Sequence, residues 1–288
     1  MSELLFRAMG TDFHLHVDAD GASARRALAG ARDEIDRLES VCSRFRPTSD
    51  LSRLNGLRRA RVSRDLMAVI QLAIGLRELT EGWFDPAVGA AVLAAGYDRP
   101  FDEFPAIVEA DDRGTAAGTL SVEPDGEVSL GPGTMLDLGG IAKGYAADVA
   151  CGLLDRIGPA VVSAGGDIVA SRPPISGGPW PVGISTPDGE RIVHLNRGAI
   201  ATSGVDRRRW RTTTGEAHHV VDPTTGHPSA TDLLRVTVAA GTGAEADALA
   251  TALLAAGAER GRDLADRLGI AAIFVTRAGT TTPMGVLA

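Results

Sequence analysis

The sequence predicts an α+β protein in which mixed and antiparallel sheets are flanked by helices. Three observations carry this expectation. Long helical periodicities dominate the first third of the chain, the stretch from Trp180 to Val221 is rich in strands, and successive strands are joined by hairpin turns with few crossovers. A length of 288 residues is enough for one large domain or two small ones. We read a single unit over 1–288 with a small surface excursion at 98–118, where the chain turns acidic and irregular.

The elements follow in order. A first strand is expected from Phe13 to Val17. A helix from about Ala22 to Val41 places Ala27, Ala31, Ile35 and Leu38 on one face and charges on the other. The polar loop Ser43 to Asn55 runs into a short helix, and a longer helix from Arg64 to Thr80 is capped by Ser63. Gly82-Trp83-Phe84-Asp85-Pro86 breaks the chain. Short strands near Leu120 and Glu127 are joined by Pro124-Asp125-Gly126. A helix after Gly140 runs to about Ile157, and Ala160 to Ile168 reads as two strands around a glycine bend. Turns at Pro187-Asp188-Gly189 and Thr214-Gly215 divide the strand-rich stretch. A strand near Leu234 to Ala239, a helix from about Ala244 to Ala256, a further helix and two strands close the chain.

Composition excludes several classes. The formal net charge of −8 argues against nucleic-acid binding. With aromatic content of only 4%, the core must be mainly Ala, Leu, Val and Ile. The two cysteines, Cys42 and Cys151, make neither a disulfide framework nor a zinc site and read as small buried hydrophobes in a reducing compartment. The N-terminus lacks the build of a signal peptide and no apolar run has the length of a membrane span, so a soluble cytoplasmic protein without membrane partners is expected.

Four segments can carry chemistry. Of 29 lysines and arginines one is a lysine, Lys143, and it lies in Leu136-Asp137-Leu138-Gly139-Gly140-Ile141-Ala142-Lys143-Gly144. A strand end, a glycine pair and a helix start have the build of an anion site, and a compact ammonium is not copied by guanidinium. The alternative is a residue left over from GC-rich coding. Asp247 and Thr251, four apart near a helix start, share one face and can offer a carboxylate and a hydroxyl to a hard cation. The alternative is an acidic first turn that suits the helix dipole. In His218-His219-Val220-Val221-Asp222-Pro223 a histidine pair entering a strand sets an imidazole beside a constrained corner, or is one exposed and one packed histidine. Thr202-Ser203-Gly204 reads as a hydroxyl-rich bend that bonds phosphate or simply turns. The cluster Arg207-Arg208-Arg209, with Arg211, reads as a solvated strand face or a phosphate contact. The alternating pair His14 and His16 reads as a solvated or satisfied strand face rather than a metal site.

Together these segments resemble the ApbE family of flavin transferases (FAD:protein FMN transferases). The resemblance runs nearly end to end, from Met9-Gly10-Thr11 through the Ser43–Asn55 loop, Phe84-Asp85-Pro86, the Asp137–Asp148 block, Gly165-Gly166-Asp167, Thr202-Ser203-Gly204 and His219–Gly226 to Ala246–Thr251. It implies an ApbE-like fold and a Mg²⁺-dependent enzyme that splits FAD, attaches FMN to a threonine or serine of an acceptor flavoprotein as a phosphoester, and releases AMP. On the matching positions it implies FAD contacts from Met9, Phe45, Trp83, Phe84, Asp85, Asp137, Lys143 and Val221. It implies magnesium ligation by the Gly140 carbonyl, Asp247 and Thr251, and a catalytic base at His219. Four positions depart from the family's pattern: Phe45 where a tyrosine is common, Ala94-Ala95-Gly96-Tyr97 in place of a Trp-Gly-Phe, Ala250 where some relatives carry a further acid, and Val205-Asp206 where an aromatic pair is common. The leader of lipoprotein members is not expected, which implies a cytoplasmic acceptor. Two other readings stay open at this point: an FAD pyrophosphatase that lets water attack, and a protein that binds FAD without chemistry.

Overall fold

The computed structural model describes residues 1–111, 113–213 and 215–285. Asp112 of the expected excursion and Thr214 of the expected Thr214-Gly215 turn lie outside them. The chain opens with a hairpin, β1 (Ser2–Ala8) and β2 (Thr11–Val17), turned at Met9 and Gly10 with φ of 51° and 68°. The sequence reading begins at the second of these strands. β1 escapes it because Leu4-Leu5-Phe6 is a continuous apolar run without alternation, and Leu5 indeed points to solvent at 66% exposure.

Helix α1 (Gly21–Cys42) buries Ala24, Leu28, Ala31, Ile35 and Leu38, so the inward stripe passes through Ala24 and Leu28 and only grazes Ala27. Helix α2 (Asp50–Leu57) starts on the Ser49 hydroxyl, which accepts from the Ser52 N–H at 2.9 Å. Strand β3 (Arg59–Arg61) follows, and α3 (Arg64–Leu79) is capped by Ser63 as expected. Helix α4 (Gly89–Ala94) was not foreseen, being six apolar residues without a polar face. Strands β4 (Leu120–Val122) and β5 (Glu127–Leu130) join β3 in a small sheet of order β3-β5-β4.

Helix α5 (Ala142–Asp155) leads into β6 (Ala160–Ala164) and β7 (Asp167–Ala170), which turn on Gly165 and Gly166. A hairpin of β8 (Trp180–Thr186) and β9 (Gly189–Leu195) precedes β10 (Gly198–Gly204). Thr202-Ser203-Gly204 is therefore strand and not the expected bend. These residues pair with Thr237, Val236 and Arg235, and the Thr202 and Thr237 hydroxyls bond at 2.8 Å. Strands β11 (Arg209–Thr212) and β12 (Gly215–His218) pair with each other, so the histidine pair leaves a strand instead of entering one.

Strand β13 (Leu233–Ala240) is followed by α6 (Gly243–Leu268), then β14 (Ala271–Thr276) and β15 (Thr281–Met284). The two helices expected here run on as one, interrupted only at Gly257 (φ 81°, ψ 176°). The Asp232 carboxylate accepts from the Ala258 N–H at 2.9 Å and restarts the helix after the break.

The main sheet has eight strands in the order β1-β2-β6-β7-β10-β13-β14-β15, each neighbouring pair antiparallel. Strand alternation divides its side chains between two faces. Phe13, Leu15, Ala199 and Ala201 pack with helices α1 and α5, and Val236, Val238, Ala272 and Phe274 pack with α6. Ile200, Ile273 and Val275 point the other way, under Val182, Ile184, Val193 and Leu195 of the β8–β9 hairpin. This is an α+β architecture of antiparallel sheets flanked by helices. No helix among the described residues is long and apolar enough to cross a membrane.

Candidate functional site

The ends of β7 and β10, the starts of α5 and α6, the β1–β2 turn and the loop after α1 surround a cleft of about 540 Å³. All twelve residues singled out from the sequence line it: Met9, Phe45, the run Trp83-Phe84-Asp85, Asp137, Gly140, Lys143, His219, Val221, Asp247 and Thr251. They come from six stretches of the chain, so the fold and not local sequence brings them together.

Close packing sets the charged end. A side chain at Gly144 would run into the Gly243 carbonyl, its Cβ only 2.1 Å from that oxygen, so the starts of α5 and α6 touch backbone to backbone. Asp148, one turn further along α5, accepts from the Gly243 and Ala244 N–H groups at 2.6 and 3.0 Å at the start of α6. That contact fixes Asp247 against Lys143. The Lys143 Nζ donates to Asp247 Oδ2 at 2.9 Å and to the Gly139 carbonyl at 3.3 Å, and lies 3.6 Å from Asp167 Oδ2. Burial works against the ammonium, but the two carboxylates outweigh it and hold its pKa above the ordinary lysine value. Burial also lifts the Asp167 carboxyl to about 6, with Asp247 adding to the rise and Lys143 opposing it. Asp167 Oδ1 in turn accepts from the Thr202 N–H at 2.9 Å. The sequence had marked Asp167 only as part of a motif. Its partnership with Lys143 depends on β7 passing beside α5.

Asp247, Thr251 and Gly140 line the same cleft, with Thr251 beside Gly140 and one turn along α6 from Asp247. The Thr251 hydroxyl stands 3.0 Å from the buried Ser203 hydroxyl and 3.1 Å from where a Cβ on Gly140 would be, so glycine leaves the approach clear. Lys143 engages only Oδ2 of Asp247, leaving Oδ1 for another partner. Among the described residues no group of three His, Cys, Asp or Glu side chains forms a ready cage. A carboxylate, a hydroxyl and a carbonyl are nevertheless hard donors of the kind magnesium accepts when substrate oxygens and water complete its shell.

His219 faces the same space. Its Nδ1 is 3.4 Å from the Arg208 carbonyl, an acceptor, so Nδ1 carries the hydrogen and Nε2 keeps its lone pair. Burial, reinforced by the Arg208 guanidinium, pushes its pKa down to about 3 and keeps the ring neutral. Its neighbour His218 is packed beneath the strand end, with Nε2 3.1 Å from the Ser229 carbonyl.

Phe45, Tyr97 and Phe101 give the cleft an aromatic wall, backed by Phe104 and Trp210. Phe45, Tyr97, Phe101, Phe104 and Trp210 contact one another with ring centroids 5.2–5.5 Å apart. Phe101 and Phe104 belong to the 98–118 stretch and flank the 3₁₀ turn Phe101–Glu103, and Val108 of that stretch is buried in the same cluster. The sequence reading missed Arg44, which sits beneath these rings. Its guanidinium lies 4.0 Å from the Phe45 centroid and 4.7 Å from the Tyr97 centroid, and Nε donates to Asp137 Oδ2 at 2.7 Å. Asp137 Oδ1 accepts from the Gly139 N–H, so both oxygens of that residue are engaged within the protein. Asp85 is likewise held, 2.8 Å from Arg77 and from the Ala87 N–H, and shapes the turn that presents Trp83 and Phe84.

The alternating histidines of β2 lie away from the cleft. His14 pairs with Glu3 at 2.9 Å, and His16 sits edge-on to Trp180. Cys42 and Cys151 are buried free thiols, each pushed up to about 12 by burial.

An eight-stranded antiparallel sheet presenting an oxygen-donor and lysine centre beside an aromatic wall defines a recognisable class. The ApbE family model matches residues 9–274, and the chain belongs to that family. Among its relatives, the FAD:protein FMN transferase of Vibrio cholerae is 32% identical over 93% of this chain and 85% of its own length. That of Haemophilus influenzae is 28% identical over 94% and 85%. The ApbE protein of Thermotoga maritima superposes with a TM-score of 0.88 at 26% identity, covering 98% of this chain and 96% of that one. The apo Pseudomonas stutzeri flavinyl transferase ApbE gives 0.85 at 26% identity, covering 98% and 94%.

Proposed function

We propose that this protein is an FAD:protein FMN transferase that moves FMN from FAD to a threonine or serine hydroxyl of an acceptor flavoprotein and releases AMP. The observation that carries the reading is the placement of Asp247, Thr251 and Gly140 with a neutral His219 in one cleft that has an aromatic wall. The names of the relatives support it.

In this reading the isoalloxazine lies against the Phe45 and Tyr97 side and the diphosphate reaches the Lys143 end. The Gly140 carbonyl, Asp247 and Thr251 would hold Mg²⁺, which neutralises pyrophosphate charge when bound. The acceptor hydroxyl attacks the phosphorus that carries the flavin. One P–O bond forms, the bridging P–O bond breaks, and AMP leaves with the bridging oxygen. The hydroxyl proton passes to His219 Nε2, the nitrogen left free by the Arg208 carbonyl. A bound pyrophosphate sets negative charge beside the imidazole, opposes the causes that depress its pKa and makes it a better base. The buried, unpaired thiols suit a reducing compartment such as the cytoplasm.

The test is incubation with FAD and Mg²⁺ against candidate acceptors. AMP together with a covalently fluorescent protein is the expected result. AMP with free FMN in the presence of acceptor would make the protein a pyrophosphatase, and no AMP at all would leave only binding. His219→Ala is expected to keep FAD affinity and lose transfer by about 100-fold or more. Turnover equal to the parent protein would remove the base assignment.

A further inference from the structure

The cations that line the cleft are not equivalent. Arg44 holds Asp137 at 2.7 Å, Arg46 holds Glu39 at 2.7 Å, and Lys143 sits between Asp247 and Asp167. Counted at full ionisation, the lysine and its two carboxylates carry a net −1, so an incoming diphosphate meets no surplus positive charge from the protein there. Arg207 and Arg208 differ. Among the described residues neither forms an ion pair, and each rests on the carbonyl of a glycine turn, Arg207 on Gly165 at 3.1 Å and Arg208 on Gly10 at 3.5 Å.

These two arginines act on different surroundings. The Arg208 charge is felt by Lys143, His219 and Tyr97, which belong to the charged end, the candidate base and the aromatic wall. The Arg207 charge is felt by Asp206, outside the cleft lining. Arg208 also anchors the base, since its carbonyl accepts from the His219 N–H and faces Nδ1, both at 3.4 Å. One residue thus fixes the ring by its backbone and presents an unneutralised planar fork in the lining of the cleft that also holds that ring and the lysine. A guanidinium offers two parallel N–H donors matched to phosphoryl oxygens.

We infer that Arg208 is a catalytic residue of this cleft, its guanidinium bonding the non-bridging oxygens of the phosphoryl group as FMN passes to the acceptor. The inference rests on the transferase reading. As the new P–O bond forms and the bridging bond to AMP breaks, charge grows on those oxygens, and a donor already in place needs no reorganisation to meet it.

The experiment compares the parent protein with Arg208→Met, Arg208→Lys and, as a charge control away from the cleft, Arg211→Gln. FAD affinity is measured by titration with Mg²⁺ present, and AMP release at saturating FAD with water alone or with an acceptor flavoprotein identified by the labelling assay. Arg208→Met is expected to slow AMP release about 100-fold while the FAD Kd moves less than about fivefold. Arg208→Lys should recover part of the rate, because charge returns without the fork. Arg211→Gln should match the parent. The acid limb of the rate profile should move to higher pH in Arg208→Met, since the positive charge beside His219 is gone.

An Arg208→Met protein that releases AMP within about threefold of the parent overturns the inference, as does a loss that appears wholly in Kd. Should that variant fail to bind FAD or fold, Arg208→Lys decides, and parental turnover from it overturns the inference. Absence of AMP from the parent protein itself refutes the transferase reading, and this inference with it.

Discussion

His219 stays neutral because it is buried beside a cation, and this has a sign in pH. Its pKa falls to about 3 in the folded protein, whereas an unfolded histidine titrates near its ordinary value of about 6.5. Between these limits the unfolded chain binds more protons. The contribution to stability is fully present above about pH 6.5 and is lost as pH falls towards 3. Protein free of metal and substrate should lose about 2 kcal/mol from this residue between pH 7 and 5, and His219→Gln should lack that part of the loss. Denaturant melts at the two pH values check it, and equal losses in both proteins would refute it. At this scale the sequence was informative where a residue stood out by type. Lys143 could be marked because no other lysine exists, and Asp247 because Thr251 follows one turn later. Arg44 and the individual role of Asp167 could not be marked. Their meaning comes from Asp137, 93 positions away from Arg44, and from a lysine on another element, and no local spacing encodes such partners.

Among the elements, the joint between α5 and α6 decides the site. Thr242 is the N-cap of α6, and Asp148 adds two acceptor contacts at the same helix start that hold the turn from which Asp247 projects. Asp148→Ala is expected to cost about 1–2 kcal/mol, as the loss of a helix cap does, and to weaken FAD binding in Mg²⁺ although residue 148 lies outside the cleft. Thermal melting and FAD titration measure the two effects, and a stability loss with unchanged FAD affinity would break the proposed link between helix start and site. Most helices were legible because amphipathic periodicity and serine caps survive in the sequence. The short pieces were not. β3 is Arg-Ala-Arg, which has no pattern of its own and is a strand only because β5 pairs with it. The Thr202–Gly204 segment looked like a turn by composition, and β13 beside it makes it a strand.

For the molecule as a whole, the sheet separates stability from chemistry. Helices and cleft occupy one side, and the β8–β9 hairpin seals the other over Ile200, Ile273 and Val275. Ile184→Ala, at a hairpin position only 5% exposed, should therefore cost about 2–4 kcal/mol and leave FAD affinity unchanged in the folded protein. A matching loss of affinity would show that the two faces are coupled. The fold class was readable from the order of helices and hairpins, while the strand order was not, because pairings such as β2 with β6 and β7 with β10 join distant stretches. That wiring has a consequence for the life of the chain. Met9 and Thr251 face one space only after the strands between them have zipped together, so a growing polypeptide cannot complete the cleft before Thr251 has been made. On the transferase reading, dinucleotide cannot template the architecture that captures it, and its capture is a sign that assembly has already succeeded.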